Sequence, residues 1–251
     1  MDKLTDIMMV TFNRLDLTKK TLESLVKTTK SPFNLIIVDN GSSGSDYLDY
    51  LFDFCTTNAK SEHFQDFRII SNETNLGIAI GRNQALEVSS SQWLSTIDND
   101  VILPERWLSD CIDILENNKS YGMIGVNFEK NNYPLVTVGG RCWQNKARGN
   151  LGTACTVFNR SLHDQLGYFN TEYGKYGEED ADFGVRVKVA GFKLGYLKNN
   201  GTHLGEGDND VGEYREYKHV SHRNNLNKFY KNCNDYLSRR KPIYIDYKGK
   251  K

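Results

Sequence analysis

The tripeptide Asp98-Asn99-Asp100 follows directly on the apolar run Trp93-Leu94-Ser95-Thr96-Ile97. A short strand that ends in two carboxylates one residue apart projects both from the rim of a sheet, where they can share a hard divalent cation through oxygen ligands. Mg2+ and Mn2+ favour carboxylate, water and phosphate oxygens, so a fitting guest for such an ion is a nucleoside diphosphate whose departing phosphate it neutralises. An acidic turn closing a strand has the same sequence, and the triplet alone does not separate the two. His203, in Asn200-Gly201-Thr202-His203-Leu204-Gly205, is a further candidate ligand, set among glycines that let the backbone approach a site closely. Neutral imidazole suits Mn2+ better than Mg2+, and a structural histidine would look the same in sequence.

Three more polar clusters follow apolar runs: Val10-Thr11-Phe12-Asn13-Arg14, Val38-Asp39-Asn40-Gly41-Ser42-Ser43 and Asn72-Glu73-Thr74-Asn75-Leu76-Gly77. Each is compatible with ordinary turn chemistry. As a set they place acceptors and donors at the ends of successive strands. Asp39 offers two oxygens to a base N–H, and the planar fork of Arg82 suits a pyrophosphate, although a solvated helix-surface arginine is the competing reading.

The elements that must carry these groups are legible as alternation. Ile7 to Thr11, Leu35 to Asp39, Phe67 to Ile70 and Trp93 to Ile97 read as buried strands. Between the first two, Leu15, Thr18, Leu22, Leu25 and Val26 recur at helical spacing; between the last two, Ile78, Ala79, Ala85, Leu86 and Val88 do so after Gly77. Such alternation predicts a helix-covered, largely parallel sheet, which binds ligands outside the carboxyl ends of its strands. Further on, Phe192 to Leu197 is strand-like, Glu206 to Arg215 reads as a mobile lid over the donor, and Leu226, Phe229, Tyr230 and Cys233 suggest a short helix.

Composition excludes some classes. Lys+Arg and Asp+Glu are both 32 in 251 residues, so no global charge favours nucleic acid or an anionic membrane. The basic segment Ser238-Arg239-Arg240-Lys241 with Lys248, Lys250 and Lys251 reads as a frayed terminus. Five cysteines without Cys-x-x-Cys spacing read as reduced thiols of a cytoplasmic protein. No apolar stretch approaches the roughly 20 residues of a membrane helix. Trp143, Tyr168, Phe169, Tyr173 and Tyr176 cluster with glycines, and either stack on an acceptor or belong to the core.

The motifs together resemble glycosyltransferase family 2. Val10 to Arg14, Ile37 to Ser43, Asn75-Leu76-Gly77 with Gly81-Arg82-Asn83, and Asp98-Asn99-Asp100 look like its nucleotide-sugar half. Gly152 to Arg160, Leu166-Gly167-Tyr168-Phe169-Asn170, and Tyr176 to Gly184 with Arg186 and Ala190-Gly191-Phe192 resemble its acceptor half. The resemblance runs from about residue 6 to about 205. It implies the α/β GT-A fold, Rossmann-like, with a mixed central sheet covered by helices on both faces. It also implies one domain over 1–235: about 1–100 for the nucleotide, about 101–205 for acceptor and catalysis, about 206–235 for lid loop and terminal helix, with 236–251 a flexible tail.

The implied activity is metal-dependent transfer of a sugar from a nucleoside-diphosphate sugar, UDP foremost, to an acceptor hydroxyl on a glycan, lipid-linked saccharide, protein or other molecule, with inversion. Nucleotide-sugar contacts are implied at Thr11, Asn13, Arg14, Asp39, Asn75, Gly77, Arg82, Asp98 and Asn99. Mn2+ or Mg2+ would lie on Asp98, Asp100 and His203. Asp180 matches the general base and Glu179 would orient the acceptor, while Glu178-Glu179-Asp180 also suits a helix's first turn by its dipole. Tyr176 stands where the family usually has Trp. A retaining GT-A transferase, a nucleotidyltransferase acting on sugar phosphates and a non-catalytic sugar-nucleotide binder are the alternatives.

Overall fold

The strand Thr5–Thr11 (β1) is buried along its whole length, and its side chains divide by parity: Ile7 and Met9 join one apolar cluster, Met8 and Val10 the other. The strand Phe33–Asp39 (β2) does the same with Leu35 and Ile37 against Ile36 and Val38. A period of two with both faces apolar is what a central strand requires when helices cover both sides of its sheet. The computed structural model describes residues 3–128, 132–146, 150–205 and 213–247.

The remaining elements are helix Leu15–Thr28 (α1), helix Ser45–Asn58 (α2), strand Phe64–Ser71 (β3), helix Ile78–Val88 (α3), strand Trp93–Asp98 (β4), strand Val101–Ile102 (β5), helix Trp107–Asn117 (α4) and strand Tyr121–Asn127 (β6). Strands Leu135–Val138 (β7), Arg141–Asn145 (β8) and Cys155–Asn159 (β9), helices Arg160–Leu166 (α5) and Glu179–Val189 (α6), strands Lys193–Asn200 (β10) and Thr202–His203 (β11), and helix Glu213–Leu237 (α7) follow. Nine strands form one sheet in the order β3-β2-β1-β4-β9-β6-β10-β8-β7. The pairs β3/β2, β2/β1, β1/β4 and β6/β10 are parallel, whereas β9 runs antiparallel to both β4 and β6. The sheet is therefore mixed. Leu22, Leu51 and Trp107 from α1, α2 and α4 pack on one face, and Leu86, Leu162 and Phe183 from α3, α5 and α6 on the other. Each such side chain contributes roughly 1.5–3 kcal/mol on leaving water.

Three elements depart from expectation. Helix α2 is not among the expected elements; its buried residues Tyr47, Leu51 and Cys55, spaced four apart, form a single narrow stripe. Strand β3, expected to be buried, is the sheet's edge and is half exposed. Helix α7 runs 25 residues, much longer than the short helix suggested by Leu226 to Cys233. Of the loop expected over Glu206 to Arg215, residues 206–212 lie outside the described residues, and from Glu213 the chain is helix α7 instead. The basic segment expected to be frayed is instead docked up to residue 247. Gly167 pairs with Ile245 as a bridge, Tyr168 N–H donates to Ile245 O, and Tyr247 packs against Tyr168. Lys248, Lys250 and Lys251 lie outside the described residues. No helix among the described residues is long and apolar enough to cross a membrane.

Candidate functional site

The two-stranded ribbon of β5 and β11 decides the site. Register His203↔Val101 sets the histidine one residue across from Asp100, and Leu204 N–H donates to Asp100 O at 2.7 Å. Glycines permit this approach. A Cβ on Gly201 would collide with the Phe128 ring, and one on Gly205 with the Asp100 carboxylate. Phe128 then meets the His203 ring edge-on at 6.1 Å, fixing its plane.

Asp98, Asp100 and His203 thereby offer ligand atoms that all lie within 4.8 Å of one another. The donor set is two carboxylates and an imidazole, which fits Mn2+. Two further observations agree with a cation there. His203 Nδ1 is buried without a hydrogen-bond partner among the described residues. Burial and the neighbouring Asp98 carboxylate push the Asp100 pKa up, a crowding of negative charge that His203 and Arg14 relieve only in part.

Arg14 reaches Asp100 from the turn between β1 and α1, at 3.0 Å from Oδ2. It does so through a strained turn, since Asn13 and Arg14 both adopt left-handed backbone conformations with φ of 54° and 59°. Ser42 and Ser43 hold that turn: Asn13 N–H donates to Ser42 Oγ, and Ser43 N–H and Oγ donate to Asn13 Oδ1. Behind it, Asp39 is buried and accepts from Thr11 Oγ1 and from Ser42 N–H. Asn40 ties β2 to the loop before α3, donating to Asn75 Oδ1 and Gly77 O and accepting from Asn72 Nδ2 and Leu76 N–H.

The opposite wall is the first turn of α6. Arg82, on α3, donates to Asp98 Oδ1 at 3.0 Å and to Glu179 Oε1 at 3.1 Å, and Glu179 Oε2 accepts from Gly177 N–H. Arg82 is thus not a solvated helix-surface residue. Burial pulls its pKa down, but Asp98, Glu179 and Asp180 together hold it above the ordinary value. Glu179 is pushed up to about 7, by burial first and by Asp180 second. Asp180 is raised as well, through burial, with Arg82 opposing. A carboxylate so raised is a stronger base than one in water.

Between these walls lies one cleft of about 230 Å³. Thr11, Arg14, Asn75, Arg82, Asp98, Asn99, Asp100, Glu179, Asp180 and His203 line it, as do Lys175, Tyr176 and Lys218. Of the expected contacts, Asn13, Asp39 and Gly77 stand behind the lining rather than in it. Of the five clustered aromatics only Tyr176 reaches the cleft; Trp143, Phe169 and Tyr173 are buried and Tyr168 packs on His163 and Tyr247. Lys175 and Lys218 carried no sequence signal, because an isolated lysine resembles any surface lysine. Among the described residues four cationic side chains (Arg14, Arg82, Lys175, Lys218) and four carboxylates (Asp98, Asp100, Glu179, Asp180) line the walls. With all four carboxylates ionised, a divalent cation would leave an excess of two positive charges, the complement of a doubly charged diphosphate, and a proton on Glu179 adds to that excess.

The sequence matches the profile of Glycosyl transferase family 2 over residues 6–167, and the chain belongs to that family. It is 29% identical over 174 residues to the UDP-Glc:alpha-D-GlcNAc-diphosphoundecaprenol beta-1,3-glucosyltransferase WfgD of Escherichia coli, covering 64% of this chain and 62% of that one. It is 30% identical over 122 residues to an uncharacterized glycosyltransferase of Haemophilus influenzae, covering 48% of this chain and 37% of that one. The chain thus matches less than two thirds of the length of either relative. The mannosyltransferase PcManGT from Pyrobaculum calidifontis, solved with GDP-Man and Mn2+, superposes with a TM-score of 0.64 at 14% identity over 85% of this chain and 59% of that one. S. aureus TarS 1-349 with UDP-GlcNAc gives 0.60 at 17% identity over 94% of this chain and 70% of that one. The fold is the GT-A fold of these glycosyltransferases.

Proposed function

We propose that the protein transfers a sugar from a nucleoside-diphosphate sugar, a UDP-sugar first, to an acceptor hydroxyl with inversion at the anomeric carbon. The observation that carries this reading is that Asp100 and Asp180 line one cleft, with Arg82 between their walls. Asp98, Asp100 and His203 would hold Mn2+ or Mg2+. Such an ion supplies charge neutralisation to the departing diphosphate. Arg14 and Arg82 flank the same carboxylates and orient the donor's phosphates. Asp180 takes the proton of the acceptor hydroxyl, whose oxygen bonds to the anomeric carbon as the bond to the diphosphate breaks and its electron pair leaves with the phosphate. Glu179, with both oxygens engaged by Arg82 and Gly177 N–H, orients Arg82 and the loop before α6 rather than the acceptor directly.

The relatives' names support the donor class, since one uses UDP-Glc and the solved neighbours hold GDP-Man with Mn2+ or UDP-GlcNAc. We place the nucleotide half at about 1–100 and the acceptor half at about 101–205 of one domain. The five unpaired cysteines support a reducing, cytoplasmic setting. Thermal-shift screening of UDP-, GDP- and dTDP-sugars with and without Mn2+ tests binding. The reaction is tested by nucleoside diphosphate release: Asp180→Asn is expected to lose about 100-fold or more of it while keeping nucleotide affinity. Release of pyrophosphate from a nucleoside triphosphate and a sugar phosphate would instead establish a nucleotidyltransferase.

A further inference from the structure

The segment Tyr173 to Glu178 leads into Glu179 and Asp180 and has no regular structure of its own after the 3-10 turn Thr171–Tyr173. Two neighbours clasp it. On the donor side, Ile78 N–H donates to Lys175 O at 3.1 Å, and Gly77 lies so close that a Cβ there would stand 2.6 Å from Lys175 Cα. On the other side is α7. Asn225, almost wholly buried, turns its amide nitrogen to three backbone carbonyls at once: Tyr173 O at 2.7 Å, Tyr176 O at 3.0 Å and Gly177 O at 3.3 Å. One turn earlier, His222 Nδ1 meets Glu178 Oε1 at 2.5 Å.

The clasp sits where backbone strain has to be held. Gly177 and Glu178 have φ of 95° and 73°, and Glu178 is the residue from which α6 starts. A non-glycine residue in the left-handed region costs about 1–3 kcal/mol and persists only where the surroundings impose it. Fixing the carbonyls of 173, 176 and 177 sets the direction in which α6 leaves, and with it where Asp180 points. Asn225 is not what keeps α7 in place. Asn232 donates to Tyr173 Oη, Tyr236 Oη donates to the buried Asp182, and Lys228 reaches Glu172 O, all farther along the same helix.

We propose that Asn225 is a positioning residue of the transfer reaction, acting through the 173–178 segment on Asp180 without touching substrate. This rests on the assignment of Asp180 as the base. The test uses the full chain and the UDP- or GDP-sugar that the unmodified protein hydrolyses fastest, with turnover expressed per site that binds the matching nucleoside diphosphate in the presence of Mn2+. Asn225→Ala is expected to lower kcat per binding site about tenfold or more, with donor KM and diphosphate affinity within about twofold of wild type. Asn225→Asp, of the same size but without donors for the three carbonyls, serves if the alanine variant does not fold, and is expected to behave alike. Lys228→Ala, which removes another α7 anchor, is expected to leave kcat unchanged. Wild-type kcat per site in Asn225→Ala or Asn225→Asp overturns the proposal, as does an equal loss in Lys228→Ala or a loss of diphosphate affinity in step with kcat. Asp180→Asn run beside them separates the two failures: retained turnover there overturns the base assignment, whereas lost turnover with unaffected Asn225 variants overturns only the clasp.

Discussion

Arg82 and Glu179, 97 residues apart in sequence, form an ion pair of 3.1 Å in which neither side chain is more than 8% exposed. The same guanidinium holds Asp98 at 3.0 Å, so one buried cation joins the wall that carries Asp98 and Asp100 to the wall that carries Asp180. Removing one partner of a buried pair leaves the other charge uncompensated, which costs about 3–5 kcal/mol. Arg82→Ala is therefore expected to lower the unfolding free energy by about 3 kcal/mol in urea denaturation at neutral pH. Arg82→Lys, with no planar fork to span two carboxylates, is expected to recover only part of that.

The raised Glu179 carboxyl makes stability depend on pH. Its folded-state pKa, about 7, lies above the ordinary value of 4.5, so the folded form binds the proton more tightly than the unfolded form. The stabilisation from that proton is complete below about 4.5 and is lost as pH rises through about 7. His163 works in the opposite sense, since burial lowers its pKa and folding is favoured as it deprotonates. A variant isolates the carboxyl: Glu179→Gln, neutral at every pH, is expected to gain in stability relative to the unmodified protein as pH rises from 4.5 to 8. A constant difference in denaturation midpoint across that range would contradict the argument.

The proposed metal site is expected to respond to a ligand and to a glycine in the same way. Saturation with a ligand at about 100 times its Kd stabilises the folded state by about 2.7 kcal/mol, so Mn2+ with nucleoside diphosphate should raise the melting temperature. Asp100→Ala is expected to abolish the Mn2+-dependent part of that shift and His203→Ala to reduce it. Gly205→Ala removes no ligand, but its methyl would occupy the space of the Asp100 carboxylate and crowd Arg14. It is expected to weaken the Mn2+-dependent shift as well, in differential scanning fluorimetry, whereas Gly139→Ala, with nothing near its Cβ, is not.

How far the sequence speaks depends on the range of the interactions. Alternating apolar pairs such as Ile7/Met9 and Met8/Val10 report both covered faces, because burial on a strand is a local pattern of period two. The carboxylates of Asp98 and Asp100 are legible for the same reason, being fixed by where β4 stops. Helix α7 is longer than its apolar residues suggest because none of residues 216–224 is buried and its inward face then uses Asn225, Asn232 and Tyr236 for hydrogen bonds, so hydrophobic periodicity begins well after the helix does. The edge position of β3 depends on strand order, which no run of residues states. The partnership of Arg82 with Glu179 depends on α3 and α6 meeting across the cleft, and the aromatic residues Trp143, Phe169 and Tyr173 could not be told from binding residues until their burial was known.

The docked segment 243–247 gives a last prediction. Gly167 closes α5 with φ of 69°, and a Cβ there would collide with Ile245 O, the carbonyl that accepts from Tyr168 N–H. Ile245 N–H donates in turn to Leu166 O, and the fully buried Arg186 gives Nη1 to both Leu166 O and Ile243 O while its Nε pairs with Asp182 at 2.7 Å. Asp182 also accepts from Tyr173 and Tyr236, so the segment is joined through one arginine to the network under α6 and α7. Gly167→Ala forces alanine towards a region (φ 69°, ψ −143°) that is essentially glycine-only, a penalty of about 1–3 kcal/mol, and expels the segment. It is expected to lower stability by more than that local cost, since the fully buried Arg186 loses a partner. Tyr244→Ala, half exposed, is expected to change stability by less than about 0.5 kcal/mol. Hydrogen exchange should show Ile245 and Tyr168 amides losing protection in Gly167→Ala while the amides of β1 keep theirs, and equal protection in both proteins would mean that the segment contributes nothing to holding α6.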